Sequence, residues 1–292
     1  MKIWKYIYLL LLLVLSLAVI AVFQLPDKNL HIIACNVGEG DATLLVYANT
    51  QVLIDGGPDK KVLSCLGKYL PFYDRSLELV ILTHPDRDHL FGLIDVLRNY
   101  KVDNFLYNPI NVSKPEYRVL EKEVGRVGVK TINPLGVKSL GLGLMHLDII
   151  SPSDELISSG KNPLDGREIP DSQTNSFSIV NLLHFGSFSA LLTGDMTPEV
   201  SDELAGKNLI GSVDYIKTPH HGSKNGLTEN LLKILTPRIA VISVGKNNYG
   251  HPAPEILEML KKYGVKVLRT DEMGDIEIIT DGVKFWIKSV KR

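Results

Sequence analysis

The sequence predicts an α/β fold in which two sheets pack together with helices outside. Two observations carry that prediction. Apolar runs of strand length recur from His31 onward, and in both halves strands come first, with helical segments between the later strands. A third observation gives the fold a direction. Several of these runs end in Asp or His clusters, so the strands would deliver polar side chains to one edge of a sheet.

Composition is that of a globular protein with a substantial core: 292 residues, 45% hydrophobic and 22% charged. A formal charge of -1 and a pI near 6.7 argue against sequence-blind coating of nucleic acid by charge alone. Two cysteines make no disulfide framework. Cys35 falls in an apolar strand and Cys65 in a helical pattern, so each reads as a buried small residue.

The chain opens with Lys2 and Lys5, then an uncharged apolar run to Phe23 that is long enough to span a bilayer. The leading basic residues favour an N-terminus inside the cell, with Trp4, Tyr6 and Tyr8 at the interface. A cleaved secretory signal is the rival, but Ala18–Gln24 offers no small-x-small exit. Residues 1–24 are therefore expected to be a transmembrane anchor, 25–30 a linker, and 31–292 one extracytoplasmic catalytic domain.

His31–Val37, Ala42–Ala48 and Gln51–Ile54 read as strands, with the glycine turn Gly38–Asp41 after the first and Asp55–Gly56–Gly57–Pro58 after the third. Lys61–Leu70 reads as a helix, Leu79–Leu82 as a buried strand, Asn104–Tyr107 as a short strand, and Pro115–Val127 as a helix with proline in its first turn. Leu144–Ile150 alternates. Periodicity then vanishes from Ser153 to Asn175, a length that suggests a lid. Strands return at Phe177–Leu183, Phe188–Leu192, Val213–Lys217 and Ile239–Val244, with helices at Pro198–Ala205, Glu229–Leu235 and Pro254–Tyr263. Val265–Arg269, Asp275–Thr280 and Val283–Lys288 close the chain as strands.

Leu82–Thr83–His84–Pro85–Asp86–Arg87–Asp88–His89 is the most informative stretch. It lies between the buried strand and an amphipathic helix, Leu90–Leu97. Four side chains able to bind a metal share this one turn. A helix cap would use one Asp and no His; two nearby carboxylates with two imidazoles fit a divalent cation better. Asp55, Asp195 and His220–His221 end other apolar runs in the same way. Together they could serve two neighbouring ions of zinc, manganese or iron.

These segments resemble the metallo-β-lactamase superfamily, and within it the hydrolase domain of ComEC/Rec2-like competence proteins. The resemblance runs through Asn36–Val37–Gly38–Glu39–Gly40–Asp41, Ile54–Gly57, Thr83–His89, Leu192–Asp195, Thr218–Ser223, Tyr249–Pro252, Arg269–Asp271 and Gly274. It implies a four-layer αβ/βα sandwich with a two-metal centre at the sheet edge. Carried over, His84 and Asp86 would help hold a first divalent ion. Asp88, His89 and His220 would hold a second, and Asp195 would bridge. Asp55 would orient a ligand histidine, and Asn175 stands where many superfamily members use another His. Asp86 replaces a common His. With Asn175, it shifts the first position towards oxygen ligands, so manganese is as acceptable as zinc. Phe91 stands where relatives often have Gly, and Asn36 and Glu39 replace a common Asp and Gln.

The implied chemistry is hydrolysis of a phosphodiester, with DNA as substrate and water activated by the ions. Asp88 would orient that water, and His221 and His251 are the candidate proton donors. Ser223, Lys224 and Lys246 are the candidate phosphate contacts. Competence relatives form a channel from many spans. A chain with one span would need a separate membrane-channel partner. Two alternatives stay open: a hydrolase of another ester, lactone or amide, and a non-catalytic DNA-binding module.

Overall fold

The computed structural model describes residues 2–23, 27–153, 167–207 and 210–289. Helix α1 (Lys2–Phe23) precedes the strands β1 (Leu30–Ala34), β2 (Thr43–Tyr47) and β3 (Thr50–Ile54). Then come α2 (Lys61–Tyr69), β4 (Ser76–Leu77), β5 (Leu79–Leu82), α3 (Arg87–Asn99), β6 (Lys101–Val102), β7 (Asn104–Tyr107), α4 (Pro115–Val127) and β8 (Lys130–Ile132). The second half runs β9 (Ser139–Leu142), β10 (Met145–Ser151), β11 (Val180–Phe185), β12 (Phe188–Leu192), α5 (Pro198–Gly206), β13 (Tyr215–Lys217), α6 (Glu229–Leu235), β14 (Ile239–Ile242), α7 (Pro254–Lys262) and β15 (Lys266–Arg269). A short α8 (Thr270–Met273) leads to β16 (Ile276–Thr280) and β17 (Phe285–Ser289).

Strand alternation builds the layers. In β5, Leu79 and Ile81 face the other sheet, while Val80 and Leu82 face α2, α3 and α4. In β14, Ile239 and Val241 point inward and Ala240 and Ile242 meet α5, α6 and α7. Both faces of these strands are buried, which is why they read as unbroken apolar runs. Each of the leucine, isoleucine and valine side chains contributes roughly 1.5–3 kcal/mol by leaving water. The result is helix, sheet, sheet, helix, the four-layer sandwich expected from the sequence.

The first sheet has the order β17-β16-β1-β2-β3-β5-β7-β8 and the second β15-β14-β13-β12-β11-β10-β9. Each combines an antiparallel part with a parallel part: β3, β5, β7 and β8 in one, β12 to β15 in the other. Parallel neighbours joined through helices end at the same edge, and ligands in such sheets bind beyond the carboxyl ends of the strands. The chain's chemistry follows β3, β5, β12 and β13. The rough echo between halves in the sequence is this repeated arrangement.

Several expectations change. Cys35 and Cys65 are buried but not free; they form a disulfide, Cα–Cα 5.9 Å. Cys35 shares the outward face of its strand end with Ile33, and that face is covered by α2, which carries Cys65. The Phe177 strand begins only at Val180, because 171–177 form a 3-10 turn. The short β4, β6, β8 and β9 carry too little alternation to be read in advance. The expected lid falls largely on 154–166, outside the described residues. At the N-terminus, α1 spans 22 residues and its side chains are exposed from Ile3 to Ser16. Side chains of that helix are described only for 3–16, shorter than a bilayer crossing. Among the described residues no helix is long and apolar enough to cross a membrane.

Candidate metal centre

The β5–α3 turn is held by close backbone contacts. A Cβ on Gly92 would lie 2.0 Å from the Gly56 carbonyl oxygen, so only glycine lets α3 dock on the β3 exit. Likewise Gly40, at φ +143°, passes 2.4 Å from the Asp88 carbonyl oxygen at the Cβ position. Asp86 occupies the N-cap position of α3 but makes no capping hydrogen bond. Its carboxylate is used elsewhere, which removes the capping explanation of the motif.

Four side chains converge: Asp88, His89, Asp195 and His221 offer ligand atoms all within 4.8 Å of one another. Asp195 is central. Its oxygens lie 3.3 Å from His89 Nε2, 3.6 Å from His221 Nε2, and 3.9 Å from both His84 Nε2 and His220 Nε2. Asp88 Oδ2 is 3.0 Å from His221 Nε2 and 3.9 Å from His89 Nε2. Asp86 Oδ2 lies 3.6 Å from His84 Nε2. The sequence expectation is refined here: His221, rather than His220, joins the tight group. His220 and His221 both have left-handed φ, 51° and 53°, as does Asp55 at 61°. Such backbone in non-glycine residues costs of order 1–3 kcal/mol and persists where surrounding contacts enforce it.

One carboxylate sets the orientation of two histidines. Asp55 Oδ2 accepts from His89 Nδ1 at 2.8 Å and from the Thr83 hydroxyl at 2.8 Å. Its other oxygen accepts from the Thr83 backbone N–H. Having donated its only hydrogen to Asp55, the Thr83 hydroxyl can only accept from His84 Nδ1, 3.0 Å away. Both rings therefore carry their proton on Nδ1 and turn an Nε2 lone pair into the centre. Those two Nε2 atoms and Asp195 Oδ1 are buried without any hydrogen-bond partner. Buried lone pairs left this way are costly unless a cation takes them, so the residues present fit divalent metal.

Burial disfavours charge on Asp195, yet the surrounding imidazoles hold its carboxyl well below the usual range. Burial would lower His89 and His221, but Asp195, with Asp55 or Asp41, raises both well above the ordinary imidazole value, so the carboxylates favour a positive charge at Nε2, which a proton or a bound cation can supply. His220, less enclosed by carboxylates, is lowered by burial.

Behind His221 lies a feature the sequence did not announce. Its Nδ1 donates to the Ser243 carbonyl at 2.9 Å and sits 3.6 Å from Asp41. Asp41 is paired with Lys217 at 2.6 Å, and both are buried. Beside His84, Asp86 is paired with Lys114 and accepts from Thr174 Oγ1 at 2.9 Å. Asn175, the expected neighbour of this position, lies in the same 3-10 turn, but it is Thr174 that touches Asp86.

A cavity of about 370 Å³ opens onto the centre, lined in part by Asp86, Asp88, His220 and His221. His251 lines it too, its Nδ1 3.2 Å from Glu39 Oε1. The expected phosphate contacts are elsewhere. The Ser223 side chain is buried and accepts from Asn225 N–H, and neither Lys224 nor Lys246, both exposed, lines this cavity. Arg87 does line it, with its guanidinium 4.4 Å from the Phe91 ring centre.

A family model for the metallo-beta-lactamase superfamily matches residues 35–246, a range that contains the whole four-residue group. The chain is 30% identical over 267 residues to ComE operon protein 3 of Bacillus subtilis (strain 168), covering 83% of this chain and 32% of that protein. It is 29% identical over 260 residues to Recombination protein 2 of Haemophilus influenzae, covering 87% of this chain and 29% of that protein. The chain thus spans about a third of the length of these relatives. Among solved structures, YhfI from Bacillus subtilis superposes with TM-score 0.55 at 13% identity over 89% of this chain and 100% of that one. Igni18 from Ignicoccus hospitalis gives 0.51 at 12%, with the same coverage. At such identity these two likenesses concern the fold.

Proposed function

The chain belongs to the metallo-β-lactamase superfamily and is ComEC/Rec2-like, and from that premise we propose that it is a membrane-anchored, extracytoplasmic, metal-dependent phosphodiesterase acting on DNA. The observation that carries the reading is the convergence of Asp88, His89, Asp195 and His221 around buried imidazole nitrogens that have no other partner. His84, Asp86 and Asp195 would hold one divalent ion; Asp88, His89, His221 and Asp195 the other. Bound zinc or manganese would neutralise phosphoryl oxygens and make water acidic enough to attack near neutral pH.

The chain's own residues supply the rest. Asp88 is partly exposed at the cavity and accepts the proton of an incoming water. Arg87, stacked on Phe91 at the mouth, draws in the phosphate backbone. His251 has its Nδ1 held by Glu39, leaving Nε2 to hand a proton to the leaving oxygen. The name of one relative, Recombination protein 2, favours DNA.

Two features support export. The α1 run carries Lys2 and Lys5 ahead of uninterrupted apolar residues, and Cys35–Cys65 is a bridge of the kind that persists in oxidising compartments. A separate channel partner would complete the arrangement in which relatives carry further sequence. The test is hydrolysis by the purified chain, with manganese or zinc, of plasmid DNA, bis-p-nitrophenyl phosphate and nitrocefin. Metal-dependent cleavage of the first two supports the reading. Turnover of nitrocefin alone would replace it with an amide or ester hydrolase. Binding of DNA without metal or turnover would leave a binding module. Protection of the folded domain from protease added to spheroplasts would contradict the extracytoplasmic placement.

A further inference from the structure

The two cation positions are not chemically equal, and a lysine stands against only one of them. Asp86 presents two oxygens in opposite directions. Oδ2 faces His84 Nε2 at 3.6 Å. Oδ1 is occupied twice over, by the Lys114 ammonium and by the Thr174 hydroxyl at 2.9 Å. Lys114 is the residue just before α4, its side chain is only 12% exposed, and among the described residues its one other acidic neighbour is Asp171, 3.8 Å away and largely in solvent. The ammonium is thus committed to Asp86.

Nothing similar burdens the other position. Among the described residues, no lysine or arginine pairs with Asp88 or Asp195. The nearest buried cation there, Lys217, is neutralised by Asp41, which stands between it and His221. His89 is also anchored directly to Asp55, whereas His84 reaches Asp55 only through the Thr83 hydroxyl.

We infer that Lys114 is a positioning residue that fixes Asp86 and makes the His84–Asp86 position the weaker, exchangeable one of the two. Two effects act together. An ammonium on one carboxylate oxygen reduces the charge its partner oxygen can offer, and the same ammonium repels a divalent ion placed beyond it. Such repulsion across a few ångströms of partly buried structure separates the two affinities by about tenfold or more. The inference rests on the centre being metal-binding and does not depend on the substrate.

Equilibrium titration of the full chain with manganese(II), read by loss of the free-ion EPR signal, tests it. Wild type should bind two ions with constants at least about tenfold apart. Lys114→Met should tighten the weaker site by about tenfold and so narrow the separation, leaving the difference that the unequal ligand sets impose. Lys114→Arg, which keeps the charge, should preserve the separation and shows that substitution at this position is tolerated. Asp88→Asn should abolish the tighter site. An unchanged weaker constant in Lys114→Met overturns the inference while leaving the metal centre intact. Absence of any manganese binding in wild type overturns both.

Discussion

His31 and His89 are each paired through Nδ1 with a carboxylate, Glu277 at 2.7 Å and Asp55 at 2.8 Å. They differ at the other nitrogen. His31 Nε2 finds a second carboxylate, Asp27, at 3.1 Å. His89 Nε2 lies 3.3 Å from Asp195 without the geometry of a hydrogen bond, and remains unpartnered in a fully buried place. One histidine joins the start of β1 to β16 and to the preceding loop, and its bonding is complete. The other has been oriented by the same kind of contact, and its second nitrogen faces Asp88, Asp195 and His221. A histidine–carboxylate pair alone is therefore no sign of a metal; the unused second nitrogen is.

The sharpest way to break this contrast is His89→Ala. It should reduce hydrolysis to background and remove one metal equivalent, measured by elemental analysis, while the chain stays folded by circular dichroism. Retained activity would place the chemistry elsewhere. Lys217→Met should act next most strongly, and on stability. It leaves Asp41 buried beside His221 without a counter-charge, a change that costs about 3–5 kcal/mol. Denaturant unfolding measures it, and a loss near zero would mean that water reaches the pair.

Asp55→Asn keeps shape and removes charge. Its expected effect is a metal affinity weaker by about 10–100-fold, read by competition with a chelator, with a small change in melting temperature. An unchanged affinity would contradict the role of Asp55 in presenting His89 and His84. The smallest effect belongs to His31. Burial opposes its protonated form, but Glu277 and then Asp27 outweigh burial and raise its pKa above 6.5. A raised folded pKa means that the stabilisation is fully present below pH 6.5 and is lost as pH rises through the folded value. His31→Gln should therefore destabilise by less than about 1 kcal/mol at acidic pH, because the contact is partly solvated, and by nothing in alkali. Metal content should not change. Equal destabilisation at both pH values would show that His31 acts by packing alone.

The comparison also explains what could be read from the amino acids. His84, Asp86, Asp88, His89 and Asp195 were legible because each follows an apolar run, and the run dictates which sheet edge receives it. The strands themselves and their packing as two sheets followed from the same runs; the order of strands within each sheet did not. Partners distant in sequence were not legible. Asp41 and Lys217 each look like ordinary polar exits from a strand; only the packing of β13 beside the Gly38–Asp41 turn turns them into a buried pair. Nothing in the sequence ties Lys114 to Asp86, 28 positions before it. The two cysteines appeared as small core residues because nothing in the sequence says that α2 lies over the end of β1. The choice between His220 and His221 rested on consecutive left-handed backbone, which residue type does not signal.

The most direct test of the account is anomalous diffraction from crystals grown with zinc or manganese. The account predicts a peak enclosed by Asp88, His89, Asp195 and His221, with a second, weaker one beside His84 and Asp86. A map with no anomalous density among those side chains, under conditions where the metal is in excess, would contradict it.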